Sequence, residues 1–119
     1  MNKEIREMIV CAKKKMDTCM DSLNDARSAL HWASELMEES EDYIDSAMNK
    51  ADEIRYEAEL SVEERCDLLD TIEALENMFH AVRRIHNAID DAESDVGYMD
   101  SDVSYAMDDY FEDINYWEE

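Results

Sequence analysis

The stretch IVCAKKKMDTCMDSLNDARSALHWASELMEESEDYIDSAMNKA, Ile9–Ala51, carries an apolar residue at every seventh position. These are Ile9, Met16, Leu23, Leu30, Met37, Ile44 and Ala51. A companion series, Ile5, Ala12, Cys19, Ala26, Ala33, Ala47 and Ile54, fills the alternating steps of four and three and is broken only by Ser40. Such steps keep both series on one helical stripe. The pattern predicts a long first helix over 3–57, a rod of roughly 80 Å at ~1.5 Å per residue. Alanine at many companion positions allows close helix approach. The weak point is EESEDY, Glu38–Tyr43, where Ser40 is suited to cap a new helix.

Working outward, LSVEERCDLL offers a firmer boundary. Ser61 and Glu64 fit a capping box, in which each side chain satisfies a free backbone N–H of the other residue. A second helix is expected over 62–94, with Leu68, Leu75, Val82, Ile89 and Val96 at every seventh position and Ile72, Met78, Phe79 and Ile85 widening the stripe. Gly97 is expected to end it as a left-handed residue past a helix terminus. A third helix is expected over 100–117, capped by Asp100 or Ser101. Val103, Met107, Tyr110, Ile114 and Trp117 form its inward stripe. The fold class that follows is all-α: one domain over 1–119, an antiparallel three-helix bundle or coiled-coil-like rod with a long first helix. A break near 38–43 would make it a four-helix bundle.

Composition agrees with long helices. The 119 residues include one Gly and no Pro, too few breakers for a turn-rich β chain. Hydrophobic residues make up 45%, more than a disordered acidic tail carries. The formal net charge is −22. A small domain needs only about 2–8 charges for solubility, and a larger excess repels itself. Such a chain repels nucleic acid and anionic membranes and attracts basic protein surfaces. Cys11, Cys19 and Cys66 are odd in number, which fits reduced thiols better than a disulfide framework; Cys19, on the stripe, is expected to be a small buried hydrophobe. The apolar run Met8–Ala12 is too short for a signal-peptide core or a membrane span. A cytoplasmic location is therefore expected.

The charge is concentrated. Glu35, Glu38, Glu39, Glu41, Asp42 and Asp45 form a run of six acids with no base among them. Beyond Arg84 there are twelve acids and no Lys or Arg. Lys13, Lys14 and Lys15 at the other end are expected to neutralise part of this load. On the last helix Tyr98, Asp102, Tyr105, Asp109, Glu112 and Tyr116 step by four and three, making a second stripe about 100° from the apolar one, flanked by Asp108 and Asp113. A solvated face ordinarily mixes signs at i, i+4; the last 35 residues forgo this. Spread along ~80 Å, 22 net charges amount to one per ~3.6 Å, about half the density of duplex DNA at one per ~1.7 Å.

In charge distribution, carried by DDAESD (90–95), MDSD (99–102) and DDYFED (108–113), the chain resembles the small acidic phage-encoded DNA-mimic inhibitors of the anti-CRISPR and anti-restriction type. That resemblance implies occupation of a basic nucleic-acid-binding surface of a host defence nuclease, in the host cytoplasm if the chain is phage-encoded. Nucleic acid itself and membranes would not be bound. The partner-binding residues would be Glu35, Glu38, Glu39, Glu41, Asp42, Asp45, Asp90, Asp91, Glu93, Asp95, Asp100, Asp102, Asp108, Asp109, Glu112 and Asp113, with Tyr105 and Tyr116 as anchors.

Other chemistry has little support in the sequence, and neither a cofactor nor a metal is expected. Asp100, Asp102 and Ser104 begin like a calcium loop, but Tyr105 stands at the obligatory glycine and Phe111 at the twelfth-position glutamate. His31, His80 and His86 lack the Glu-x-x-His spacing of di-iron bundles, since Ser28, Asn77 and Arg83 precede them by three. No phosphate-cradling loop or nucleophile elbow is present, and an enzyme is not expected. The rival expectations are a structural coiled-coil protein that homodimerises through the stripe of residues 5–54, and a sequestering chaperone of basic proteins.

Overall fold

A computed structural model of the chain describes residues 2–57 and 59–111. Two long helices, α1 (Lys3–Arg55) and α2 (Val62–Ala106), are followed by a π-helical turn at Met107–Phe111. The fold is all-α and the two helices run antiparallel. The Asn2 side-chain oxygen opens α1 by accepting the Glu4 N–H at 2.7 Å. Ser61 opens α2 by accepting the Glu64 N–H on its hydroxyl at 3.1 Å, the half of the capping box that the sequence places there. Between the helices, Glu57 N–H returns to the Ile54 carbonyl at 3.0 Å. The Arg55 guanidinium donates to the Tyr56 hydroxyl at 2.6 Å and lies 4.9 Å from its ring centroid.

The long first helix forms as the repeat predicts and passes through Glu38–Tyr43 without a break. Ser40 does not cap a new helix; it lies half-buried on the stripe. The expected end of the second helix at 94 and start of a third at 100 are not found: α2 runs unbroken through both to Ala106. Gly97 sits inside α2 with an ordinary helical backbone, and neither Asp100 nor Ser101 caps a new helix. The reason is periodicity. Leu68, Leu75, Val82, Ile89, Val96 and Val103 keep one seven-residue phase straight across Gly97, so burial of a continuous stripe outweighs the roughly 1 kcal/mol that glycine costs inside a helix.

The chain divides into two compact units, one of 1–31 with 91–119 and the other of 32–90. The second is a helical hairpin whose seam is lined by Met37, Ile44, Met48, Ala51 and Ile54 from α1 and by Leu68, Ile72, Leu75, Phe79, Val82 and Ile89 from α2. Ala51 is its one buried hydrophobic residue among those described. In the first unit Met16, Met20, Leu23, Ala26 and Leu30 stand half-buried on α1, with Val96 and Val103 on α2 and Met107 buried at 8% exposure.

The α1 companion series is shifted by one position in places. Ile5, Ala12, Cys19 and Ala47 are exposed, while Arg6, Lys13, Met20 and Met48 are half-buried instead. Cys19 is thus not a core residue, and all three cysteines are free and exposed. Met78, Ile85 and Tyr110, assigned to inward stripes from the sequence, are also exposed. In each unit the half-buried heptad residues of α1 face α2 of the same chain. No helix among the described residues is long and apolar enough to cross a membrane.

Candidate functional site

The inward row of α2 repeats as Ile72, Phe79, His86, Glu93, Asp100 and Met107. Three consecutive members are polar, and each meets a polar partner on α1. In the hairpin unit His86 is the centre. Its Nδ1 lies 2.9 Å from Glu41 Oε1, with the two side chains 18% and 16% exposed. Its Nε2 lies 3.2 Å from Ser34 Oγ and 3.4 Å from Asp90 Oδ2. Ser34 donates its hydroxyl hydrogen to Asp90 Oδ1 at 2.7 Å.

This connectivity determines the protonation state. A carboxylate only accepts, so Nδ1 carries a hydrogen toward Glu41. The Ser34 hydrogen is committed to Asp90, so Ser34 Oγ accepts from Nε2, which also carries a hydrogen. Below its pKa the ring is an imidazolium that donates from both nitrogens. Consistently, the hydrogen bond to Glu41 holds the His86 pKa above its ordinary value, against the opposing effect of desolvation, with further support from the charges of Asp90, Glu41 and Glu38.

Hydroxyl, imidazole and carboxylate here follow the order of a nucleophilic triad. Ser34 nonetheless gives its hydrogen to Asp90 rather than to His86, and an imidazolium cannot act as a general base. Ser34 also lies in mid-helix, where backbone N–H groups are tied into the helix and cannot stabilise an oxyanion. The network's physical role is to fix register. A one-residue slip of either helix would part His86 from the half-buried Glu41.

In the other unit the pairs are looser. His31 Nδ1 lies 3.5 Å from Glu93 Oε1, and Arg27 lies 4.0 Å from Asp100 Oδ2. Asp100 Oδ1 is buried with no hydrogen-bond partner among the described residues. The charged row of this unit is held weakly from within.

The residues assigned to partner binding divide accordingly. Glu41, Glu93 and Asp100 are half-buried and turned to partners on α1, and Asp90 is tied to Ser34 and His86. Asp91, Asp95, Asp102, Asp108 and Asp109 are exposed and form no ion pair among the described residues, as do Glu38, Glu39, Asp42 and Asp45. Glu35 is exposed as well. Tyr98 and Tyr105 stand 73% and 62% exposed among the acids of α2, and the Tyr105 ring meets Tyr110 edge-on at 6.3 Å between centroids. Glu112, Asp113 and Tyr116, with Ile114 and Trp117, lie outside the described residues.

Lys13, Lys14 and Lys15 form no ion pair among the described residues. Sequence reasoning missed the Ser34–Glu41–His86–Asp90 network altogether. Its signal was the seven-residue phase of Ile72, Phe79 and Met107, which runs through His86, Glu93 and Asp100. No family model, no curated protein and no solved structure matches the chain.

Proposed function

We propose that this chain is an acidic nucleic-acid mimic, an inhibitor that occupies a basic nucleic-acid-binding surface of a defence nuclease complex and keeps DNA or RNA from it. The observation that carries this reading is the exposed face of α2 and the π-helical turn after it, over 91–109. Asp91, Asp95, Asp102, Asp108 and Asp109 stand in water there with no ion-pair partner among the described residues, and exposed Tyr98 and Tyr105 are interleaved with them. Unpaired carboxylates this close together raise the free energy of the isolated protein, and a partner's Arg and Lys would relieve it. Tyrosine among acids supplies rigid anchors within a negative field. The exposed acids Glu38, Glu39, Asp42 and Asp45 extend the same chemistry on α1.

The test is capture from host lysate at physiological salt, followed by competition between the captured protein's nucleic acid and this chain. The expected result is one specific nucleic-acid-binding protein, displacement of its substrate, and affinity that falls steeply as salt rises. Recovery of generic basic proteins alone, or affinity indifferent to salt, would exclude phosphate mimicry.

A further inference from the structure

We infer that the hairpin unit carries a second apolar face, separate from the seam, through which two copies of this chain pair into a four-helix dimer. On α1, Trp32, Leu36 and Tyr43 are 63%, 41% and 79% exposed; on α2, Met78 and Ile85 are 53% and 51% exposed. Leu36 and Tyr43 stand one position before the seam residues Met37 and Ile44, and Met78 and Ile85 one position before Phe79 and His86. In an antiparallel helix pair, side chains one position ahead of the seam on each helix fall on the same edge of the pair. Ser34, Glu41 and Asp90 stand one position after Ala33, Ser40 and Ile89, which places them on the opposite edge, where Ser34 and Asp90 meet at 2.7 Å. The exposed apolar side chains therefore form one continuous face along one edge of the hairpin. Ala74, Ala81 and Ala88 alternate with Met78 and Ile85 at steps of four and three, small enough for another helix to approach closely.

Two observations select a second copy as the occupant. A hairpin seam by itself leaves this unit nearly without a core, Ala51 being its one buried hydrophobic residue among those described. Layered folds bury such faces against another layer. The rims are also self-complementary. On α1 the outer border of the face is acidic, with Glu35, Glu39 and Asp42 exposed. On α2 the stretch 77–89 contains no acid, and its outer border carries Asn77 and Arg84, which help line a shallow surface groove with His80, Arg83 and Asn87. Glu41 is level with His86 and Ser34 with Asp90, so Glu39 and Asp42 are level with the segment 83–87. A twofold axis along the helices stacks α1 of each copy on α2 of the other at the same level. The acidic border of one copy then meets Arg84 of the other, twice. A basic helix from another protein would satisfy the acids but would be opposed by Arg84.

Sedimentation equilibrium tests this on the full chain. The expected mass is twice 14.0 kDa, with the dimer tightening as salt screens the net charge of −22 on each copy. That salt dependence is opposite in sign to the one expected for target binding, so the two proposals fail separately. Leu36→Glu and Ile85→Glu should each give monomers of unchanged helical circular dichroism. Glu39→Arg and Arg84→Glu should each weaken the dimer by ~10-fold or more, and their combination should restore it to within a few-fold. A monomer at all concentrations, or a dimer untouched by all four substitutions, would overturn the inference.

Discussion

The polar row of α2 meets α1 in both units, and the two meetings differ in kind. Around His86 three side chains converge, with contacts of 2.7–3.4 Å in the network and with the histidine and Glu41 largely shielded from water. Around His31 and Arg27 the ion pairs are 3.5 and 4.0 Å long, and the two cations are 65% and 55% exposed. Position along a heptad therefore does not set the strength of a polar contact; shielding and the number of converging partners do. The hairpin unit is pinned in register by its network. The other unit holds Glu93 and Asp100 loosely and leaves Asp91, Asp95, Asp102, Asp108 and Asp109 turned toward solvent.

Removing His86 should break this contrast outright. His86→Ala leaves Glu41 and Asp90 facing each other without a cation. It should lower Tm more than the loss of Met107, Arg27 or Asp100 does, read by thermal melts at 222 nm. Replacing His86 and Glu41 together by Leu should recover most of that loss, because a well-packed apolar pair substitutes for a shielded ion pair at little net cost. If the double variant melts as low as His86→Ala, register pinning is not what the network supplies. In the looser unit the corresponding support is apolar: Met107→Ala should cost about 2 kcal/mol, at the low end of the range for a buried Met→Ala change.

Titration sharpens the comparison. The folded pKa of His86 is raised above the ordinary 6.5 by its hydrogen bond to Glu41. The stabilisation this brings is whole below about 6.5 and is lost as pH rises through the folded value. As pH falls from above the folded value toward 6.5, Tm of the native chain should rise more than that of His86→Gln; parallel curves would show that the imidazolium contributes nothing. Gly97→Ala should stabilise α2 by about 0.5–1 kcal/mol, because a Cβ at that position meets nothing within 4 Å. The smallest effect is expected for the long ion pair between exposed Arg27 and half-buried Asp100. A double-mutant cycle on Arg27→Ala and Asp100→Asn should give a coupling of at most ~0.5 kcal/mol after screening by solvent.

Much of the fold was legible in the sequence, and particular residues mark where legibility stopped. The seven-residue apolar series of α1 and α2 located both seams, and Ser61 located the start of α2. Gly97 misled because its local preference competes with the phase of the repeat; Val96 and Val103 continue that phase on either side of it. The companion series misled at Ala12 and Cys19 because small side chains mark a stripe weakly and leave its centre uncertain by one position. Lys13 is half-buried where an apolar neighbour was expected, since its aliphatic stem can cover the seam while its charge stays in water. For the candidate surface, the sequence identified the acids but could not tell Glu41, Glu93 and Asp100, which turn inward, from Asp91, Asp95 and Asp102, which do not.

By itself the sequence determined that this protein is helical, antiparallel and heavily acidic, because periodicity and charge are properties of local residue order. Only the tertiary structure decided that α2 runs unbroken across Gly97, and that His86 sits among Ser34, Glu41 and Asp90. It also decided that Trp32, Leu36, Tyr43, Met78 and Ile85 share one edge. Each depends on which residues from opposite ends of the hairpin are brought level, and that register is set by burial and ion pairing across more than fifty residues of intervening chain.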